Sequence, residues 1–321
     1  MKQEIENVTM QKLVDVLEEI SKKVLWQEDL KRDILIALIC QWHILIEWAP
    51  WLAKTLTVSS FAQTLWLQFQ RIQFTPDLLP SDIIWARIYN PDSKQFEVKK
   101  WPIFSHIILA DEINRAPSKV QSALLEAMQE GQVTIGDITY PLPSPFMVLA
   151  TQNPLEQEGT FPLPEAQLDR FLLHHHLGYP NYNEEIEIMK QDKYREKIIL
   201  QKILKWDDIH WFQAQRSEIQ VQDSLYTYIV DIIRATRNKE KYPQIIFWAS
   251  PRASIALLKS ASAYALINQR NYILPEDIKK FAYWVLRHRI ILSYEALADN
   301  ISADIMISKI LEDTPTHYSY A

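Results

Sequence analysis

The sequence predicts the α/β class: a parallel sheet flanked by helices, followed by an all-α domain. Three observations carry this. Ile107-Ile108-Leu109-Ala110 is a continuous apolar run, the pattern of a strand covered on both faces, and it ends in Asp111-Glu112. His43 to Glu47 reads as a second short strand, and the loop after it, Trp48 to Thr55, leads into a helical stretch reaching about Leu67. From Glu184 onward the pattern is helical and polar with one short interlude, which places a domain boundary at 182/183.

The chemistry implied by the first two observations is phosphate chemistry. A strand ending in two acids delivers carboxylates to the carboxyl edge of the sheet, where open α/β folds hold ligands. Asp111 there could hold magnesium through its water shell while Glu112 aligns an attacking water. Taken alone, Asp-Glu also fits a solvated acidic turn. The upstream segment makes the difference, because a strand, a tight loop ending in Lys-Thr and a helix form a P-loop that cradles phosphates on backbone N–H groups. Its residues are Trp48, Ala49, Pro50, Trp51, Leu52, Ala53, Lys54 and Thr55. Lys54 would reach the β- and γ-phosphates of ATP, and the Thr55 hydroxyl would hold Mg2+. The first position of such a loop wants glycine, yet Trp48 stands there, and Trp51 lies inside the loop.

Composition bounds the reading. The 321 residues suffice for two domains with real cores, and 34 basic against 40 acidic residues, a net of −6, argue against a general nucleic-acid binder. One cysteine, Cys40, excludes a disulfide framework or thiolate metal site and suits the reducing cytosol. The first 20 residues are polar and acidic without the apolar run of a signal peptide, and Ile34 to Ile46 is too short for a membrane span. The expectation is a cytoplasmic protein.

In chain order, Met10, Leu13, Val14, Leu17 and Ile20 lie at helical spacing, predicting an amphipathic helix over 9–23. Residues 34–46 read as a core helix followed by a strand, and 69–74 as an alternating strand stopped at Thr75-Pro76-Asp77. A hairpin is expected in 78–104 around Asn90-Pro91-Asp92-Ser93. A helix over 118–130 is capped by Pro117 and Ser118 and stopped by Gly131, a hairpin over 132–140 turns at Gly136, and 146–150 is a strand. The strand 172–179 carries His174, His175 and His176; alternation lets at most two share a metal, so a solvated edge is expected instead. Helices follow over 184–197, 206–216, 222–238, 251–268 and 275–290, with a last helix and a frayed end from Ser302.

The stretch from Val24 to about Asp313 resembles the MoxR family of AAA+ ATPases, and Ala110 to Phe171 is similar to that family's pattern nearly residue for residue. The resemblance implies an AAA+ core with a helical lid, working as a ring, most commonly a hexamer. It makes Asn153, after the strand 146–150, the sensor that hydrogen-bonds the attacking water or the γ-phosphate. It makes Arg170, in Glu165 to Phe171, a finger acting on the neighbouring subunit's nucleotide, worth about 10³ or more in rate. Arg252, in Ala249-Ser250-Pro251-Arg252, becomes the second sensor, reaching back to its own subunit's nucleotide. The hairpin in 78–104 becomes the insertion that points at the central pore. The implied role is remodelling or maturation of other proteins, often with partners carrying a von Willebrand factor A domain.

Departures from the family pattern cluster on one residue type. Trp26, Trp42, Trp48, Trp51, Trp66, Trp85, Trp101 and Trp248 stand where the family has glycine. Usage of about 7% would give roughly 22 glycines in a chain of this length. There are 4, against 11 tryptophans, the remaining three being Trp206, Trp211 and Trp284. This expectation follows: UGA encodes glycine in the source organism and has been read as tryptophan. Two alternatives stand beside an active ATPase. One is a ring scaffold that has lost its nucleotide. The other is a nucleic-acid motor, disfavoured because the 131–140 hairpin carries Asp137 and no basic residue.

Overall fold

The computed structural model describes residues 2–48, 54–90, 95–100, 102–135, 137–153, 159–195 and 198–316. They divide into two compact units, one of residues 1–163 with 175–209 and the other of 164–174 with 210–321. The boundary expected from sequence was 182/183.

The first unit opens with α1 (Lys2–Ser21) and α2 (Glu28–Ile39), then β1 (His43–Trp48), α3 (Lys54–Thr64), β2 (Phe69–Gln73) and α4 (Pro80–Ile84). The antiparallel hairpin β3 (Trp85–Asn90) and β4 (Gln95–Lys100) follows, paired from Trp85–Lys100 to Asn90–Gln95. Next come β5 (Ile107–Asp111), α5 (Ser118–Glu130), the hairpin β6 (Gln132–Ile135) and β7 (Ile138–Pro141), and β8 (Met147–Gln152). Residues 164–174, counted with the second unit, hold α6 (Glu165–Leu168) and the start of the strand β9 (Phe171–Leu177), the fifth strand of a sheet of order β2-β5-β8-β1-β9. The pairs β2–β5, β5–β8 and β1–β8 are parallel.

Residues 107–111 are buried throughout, as are 147–151, which is why these strands read as unbroken apolar runs. The order places β1 away from β2, with β5 and β8 between them, so the carboxyl ends of β1, β5 and β8 lie side by side. Gly131 caps α5 at φ +61, with its N–H on the Ala127 carbonyl, a conformation that glycine enters without penalty. At the other end of α5 no side chain caps the helix: Pro117 offers only its carbonyl, which accepts from the N–H groups of Val120 and Gln121. The turn residue Gly136 lies outside the described residues.

The histidine run differs from expectation. His174 and His175 are buried and only His176 is exposed. β9 ends the sheet, but its faces are covered: His175 Nδ1 lies 2.7 Å from Asp33 on α2. His174 meets the His288 ring edge to face at 5.6 Å. Being last in the sheet exposes a strand's backbone edge and leaves its two faces free to pack.

The second unit holds α9 (Asp223–Ala235), α10 (Pro251–Ile267), α11 (Pro275–Leu286) and α13 (Ala303–Asp313), with the two-stranded β10 (Ile245–Phe247) and β11 (Ile291–Leu292) and the short α12 (Tyr294–Ala298). Of the two helices before α9, α7 (Tyr182–Arg195) belongs to the first unit and α8 (Trp206–Ser217) runs across residues 209/210. On α9, Leu225, Tyr228, Ile229, Ile232 and Ile233 form a buried stripe at helical spacing. Ser250, Ser293 and Ser302 cap α10, α12 and α13 by accepting from Arg252, Ala296 and Ile305 N–H groups. Asp277 closes the start of α11 by accepting from Leu274 N–H and pairing with Arg270.

One buried group ties core stability to pH. His43 Nδ1 accepts from Val148 N–H at 3.1 Å, so the proton sits on Nε2, which donates to the Met128 carbonyl at 3.1 Å. Burial pushes this imidazole down to about 4. Between pH 6.5 and 4 the unfolded chain binds the proton that the folded chain refuses. Stability therefore falls as pH falls through this window, by roughly 3 kcal/mol at most from this residue. Urea titrations should show a shallower decline over that window for His43→Leu than for the parent, although the variant starts lower at pH 7. Equal declines would contradict the assignment.

Candidate functional site

The site is built where the strand ends meet. The pairs Ile46–Thr151 and Gln73–Asp111 lie one rung beyond Leu45–Ala150, Ala150–Ala110 and Ala110–Ile72. Thr151 Oγ1 donates to Asp111 Oδ1 at 2.8 Å and accepts from Glu112 N–H at 2.9 Å. One hydroxyl thus locks both acids of the Asp-Glu pair to the neighbouring strand. Asp111 and Asn153 are both buried, and Asn153 follows the last β1–β8 pair, Glu47–Gln152.

Glu112 has left-handed backbone, φ 58 and ψ 50. For a residue with a Cβ this costs about 1–2 kcal/mol, and strain of this kind collects at functional positions. It turns the chain sharply out of β5, and Arg115 N–H closes the turn on the Glu112 carbonyl at 2.9 Å. Behind the turn, the Gln121 amide on α5 donates to the carbonyls of Ile113, Ala116 and Phe161 at 3.2, 3.1 and 2.8 Å. Gln121 is fully buried, so these bonds fix the turn against α5 and the 159–161 segment.

Two side chains on β2 face the acids, and neither was singled out from sequence. Arg71 pairs with Asp111 Oδ2 through Nη2 at 2.5 Å and Nε at 3.1 Å, and its Nη2 also donates to Gln73 Oε1 at 2.7 Å. Gln73 Nε2 donates in turn to Glu112 Oε2 at 2.9 Å, an oxygen that Arg115 reaches at 3.3 Å. The signal available in the sequence was alternation: Arg71 and Gln73 share the face of β2 opposite Ile72, one rung from the acids.

For Mg2+ the donor chemistry fits. A buried carboxylate at the carboxyl edge, beside a threonine hydroxyl, offers the hard oxygens this ion takes, and a single protein carboxylate suffices when phosphates supply further ligands. Trp48 ends β1 and Lys54 opens α3, so a strand precedes the segment 49–53 and a helix follows it. Ala49, Pro50, Trp51, Leu52 and Ala53 lie outside the described residues, as do the side chains of Trp48, Lys54 and Thr55.

Arg170 and Arg252 belong to the second unit. Arg170 follows Asp169, whose carboxylate accepts from Ser250 Oγ at 2.8 Å and pairs with Arg289 Nε at 2.6 Å. Arg289, which the sequence did not mark, is buried; its guanidinium also donates to the carbonyls of Asp169, Phe171, Leu172 and Val285. Burial lowers Arg289 to about 10, against the opposing pull of Asp169. The residue before Arg170 is thereby anchored to the same serine that caps the helix carrying Arg252. Glu165, Ala166, Asp169, Arg237, Trp248 and Pro251 help line a cavity of about 450 Å³ within this unit. Among the described residues, no helix is long and apolar enough to cross a membrane.

Residues 43–173 match the profile described as the ATPase family associated with various cellular activities (AAA), and 237–310 match an AAA lid domain. The chain is 44% identical over 303 residues to the chaperone MoxR1 of Mycobacterium tuberculosis, covering 92% of this chain and 79% of that one. It is 43% identical over 296 residues to YeaC of Bacillus subtilis, covering 92% of each. A solved structure of a candidate ATPase from Cytophaga hutchinsonii superposes with a TM-score of 0.93 at 48% identity, over 99% of this chain and 98% of that one.

The Thr151 hydroxyl gives the first test at the site. Thr151→Val keeps the shape but leaves Asp111 Oδ1 and the Glu112 N–H short of a partner, which should cost about 1–3 kcal/mol in urea unfolding. A variant as stable as the parent would mean that this hydroxyl does not hold the acids.

Proposed function

The chain belongs to the MoxR family of AAA+ ATPases, and from that premise we propose that it hydrolyses ATP in a ring, most commonly a hexamer, and uses the cycle to remodel or mature partner proteins. The observation that carries the catalytic half is Glu112, held in left-handed backbone by a bond to Thr151 at the end of β5. At that strained turn the Glu112 carboxylate is met by Gln73 and Arg115, while Asp111 stays buried. A chaperone among the relatives supports the remodelling half.

The residues divide the work as follows. The loop Trp48 to Ala53, with glycine at 48 and 51, receives the phosphates on its backbone, and Lys54 neutralises the β- and γ-phosphates. Thr55 and Asp111 would hold Mg2+, which when bound offsets phosphate charge. Glu112 accepts the proton of the attacking water and Asn153 orients that water or the γ-phosphate. Arg252 contacts the nucleotide of its own subunit, and Arg170 that of the neighbour. Partners with a von Willebrand factor A domain and a cytoplasmic site of action are inherited from the family resemblance. A second reading, a ring scaffold without nucleotide, is favoured by one feature only, the tryptophans at 48 and 51.

Two experiments use the protein with glycine at the eight positions Trp26, Trp42, Trp48, Trp51, Trp66, Trp85, Trp101 and Trp248. Glu112→Gln should retain ATP binding within a few-fold and lose most steady-state phosphate release, because the carboxylate acts on water and not on nucleotide. Turnover at the parent's rate would remove Glu112 from the chemistry. Arg170→Ala should lower turnover on the order of 10³-fold while ATP binding persists. Mixing it with Lys54→Ala subunits should recover activity, since an intact P-loop then sits beside an intact finger. No recovery in rings shown to be mixed would place Arg170 in its own subunit's site.

A further inference from the structure

We propose that Arg71 is the resident counter-cation of Asp111 and competes there with the divalent metal, so that metal entry requires the guanidinium to leave. The inference rests on the reading of Asp111 as a metal-holding residue. Its observations are geometric. Asp111 is buried, its side chain 3% exposed, and both oxygens are engaged, Oδ1 by the Thr151 hydroxyl and Oδ2 by two nitrogens of Arg71. A carboxylate so enclosed needs a positive partner, and this guanidinium supplies one.

A guanidinium 2.5 Å from Oδ2 leaves a second cation on the same carboxylate facing a like charge at short range. Both cannot be held at full strength. Of the two members of the pair, Arg71 is the one built to move: its side chain is 46% exposed and reaches Asp111 from the outer strand of the sheet, whereas Asp111 is buried at the end of β5 and bonded to the Thr151 hydroxyl on β8. Gln73 Oε1 provides a second anchor at 2.7 Å, which aligns the guanidinium on Asp111. Arg115, the other arginine nearby, contacts Glu112 at 3.3 Å and so supplies a control cation at the same strand edge.

The test reads metal affinity and no turnover. Mn2+ is titrated into the nucleotide-free protein, free Mn2+ is followed by its paramagnetic resonance signal, and the Asp111-dependent share is taken as the difference from Asp111→Asn. Arg71→Met should bind Mn2+ about tenfold more tightly than the parent, and Arg71→Gln should do the same if methionine perturbs the strand. Arg71→Lys, which keeps the charge, should stay near the parent, as should Arg115→Met. The proposal is overturned if neither neutral variant binds more tightly, or if Arg115→Met tightens equally, because a general field rather than competition would then be at work. If the tightened binding of Arg71→Met persists when Asp111→Asn is added, the fault lies with the assignment of Asp111 as the metal residue.

Discussion

Everything at the site hangs on the hydroxyl of Thr151. It touches both acids, accepting from the backbone of Glu112 and donating to the carboxylate of Asp111, and it does so from the adjacent strand. The parallel register of β5 and β8 makes this possible, since Ala110–Ala150 pairing puts residues 111 and 151 at one level. Strand register, set by apolar faces buried on both sides, therefore becomes the geometry of two carboxylates. The strain at Glu112 is tolerated because the same hydroxyl, the closing bond from Arg115 and the Gln121 clamp hold the turn from three directions. Asp111 is buried against Thr151 and Arg71 whereas Glu112 meets Gln73 and Arg115, so adjacent acids have different partners.

The sequence was most informative where burial dictates residue type. The strands at 43–47, 69–74, 107–110 and 146–150, the two hairpins and the helices from 184 onward are all present with boundaries shifted by a few residues, because unbroken apolar runs and helical stripes follow directly from what each face touches. It was least informative about partners. Arg71 and Gln73 read as the polar face of an alternating strand, and only the register with β5 brings them to the acids. The same lack of pairing information hid the covered faces of His174 and His175. Nothing in the sequence marks Arg289, yet it is buried against Asp169 and four carbonyls. The two-stranded β10–β11 pair went unread because three and two residues carry too little periodicity.

The tryptophans remain the point at which sequence and chemistry disagree. Among the described residues, the indole N–H of Trp26 is buried without a hydrogen-bond partner, an arrangement that costs about 1–3 kcal/mol. Trp66 and Trp248 lie at the surface under the ammonium groups of Lys202 and Lys239, at 4.6 and 4.9 Å from the ring centres. A surface tolerates an indole in place of glycine, whereas a phosphate-binding loop needs its concavity open for backbone N–H groups to approach the ligand. The roles proposed for Lys54, Thr55, Asp111, Glu112, Asn153, Arg170 and Arg252 require that concavity to be open.

The most direct measurement compares two proteins by equilibrium binding of labelled ATP: one made with tryptophan at 48 and 51, the other with Trp48→Gly and Trp51→Gly. Little or no binding is expected for the first and micromolar binding for the second. Micromolar binding to the tryptophan form, or none to either, would contradict a P-loop that depends on glycine at these positions.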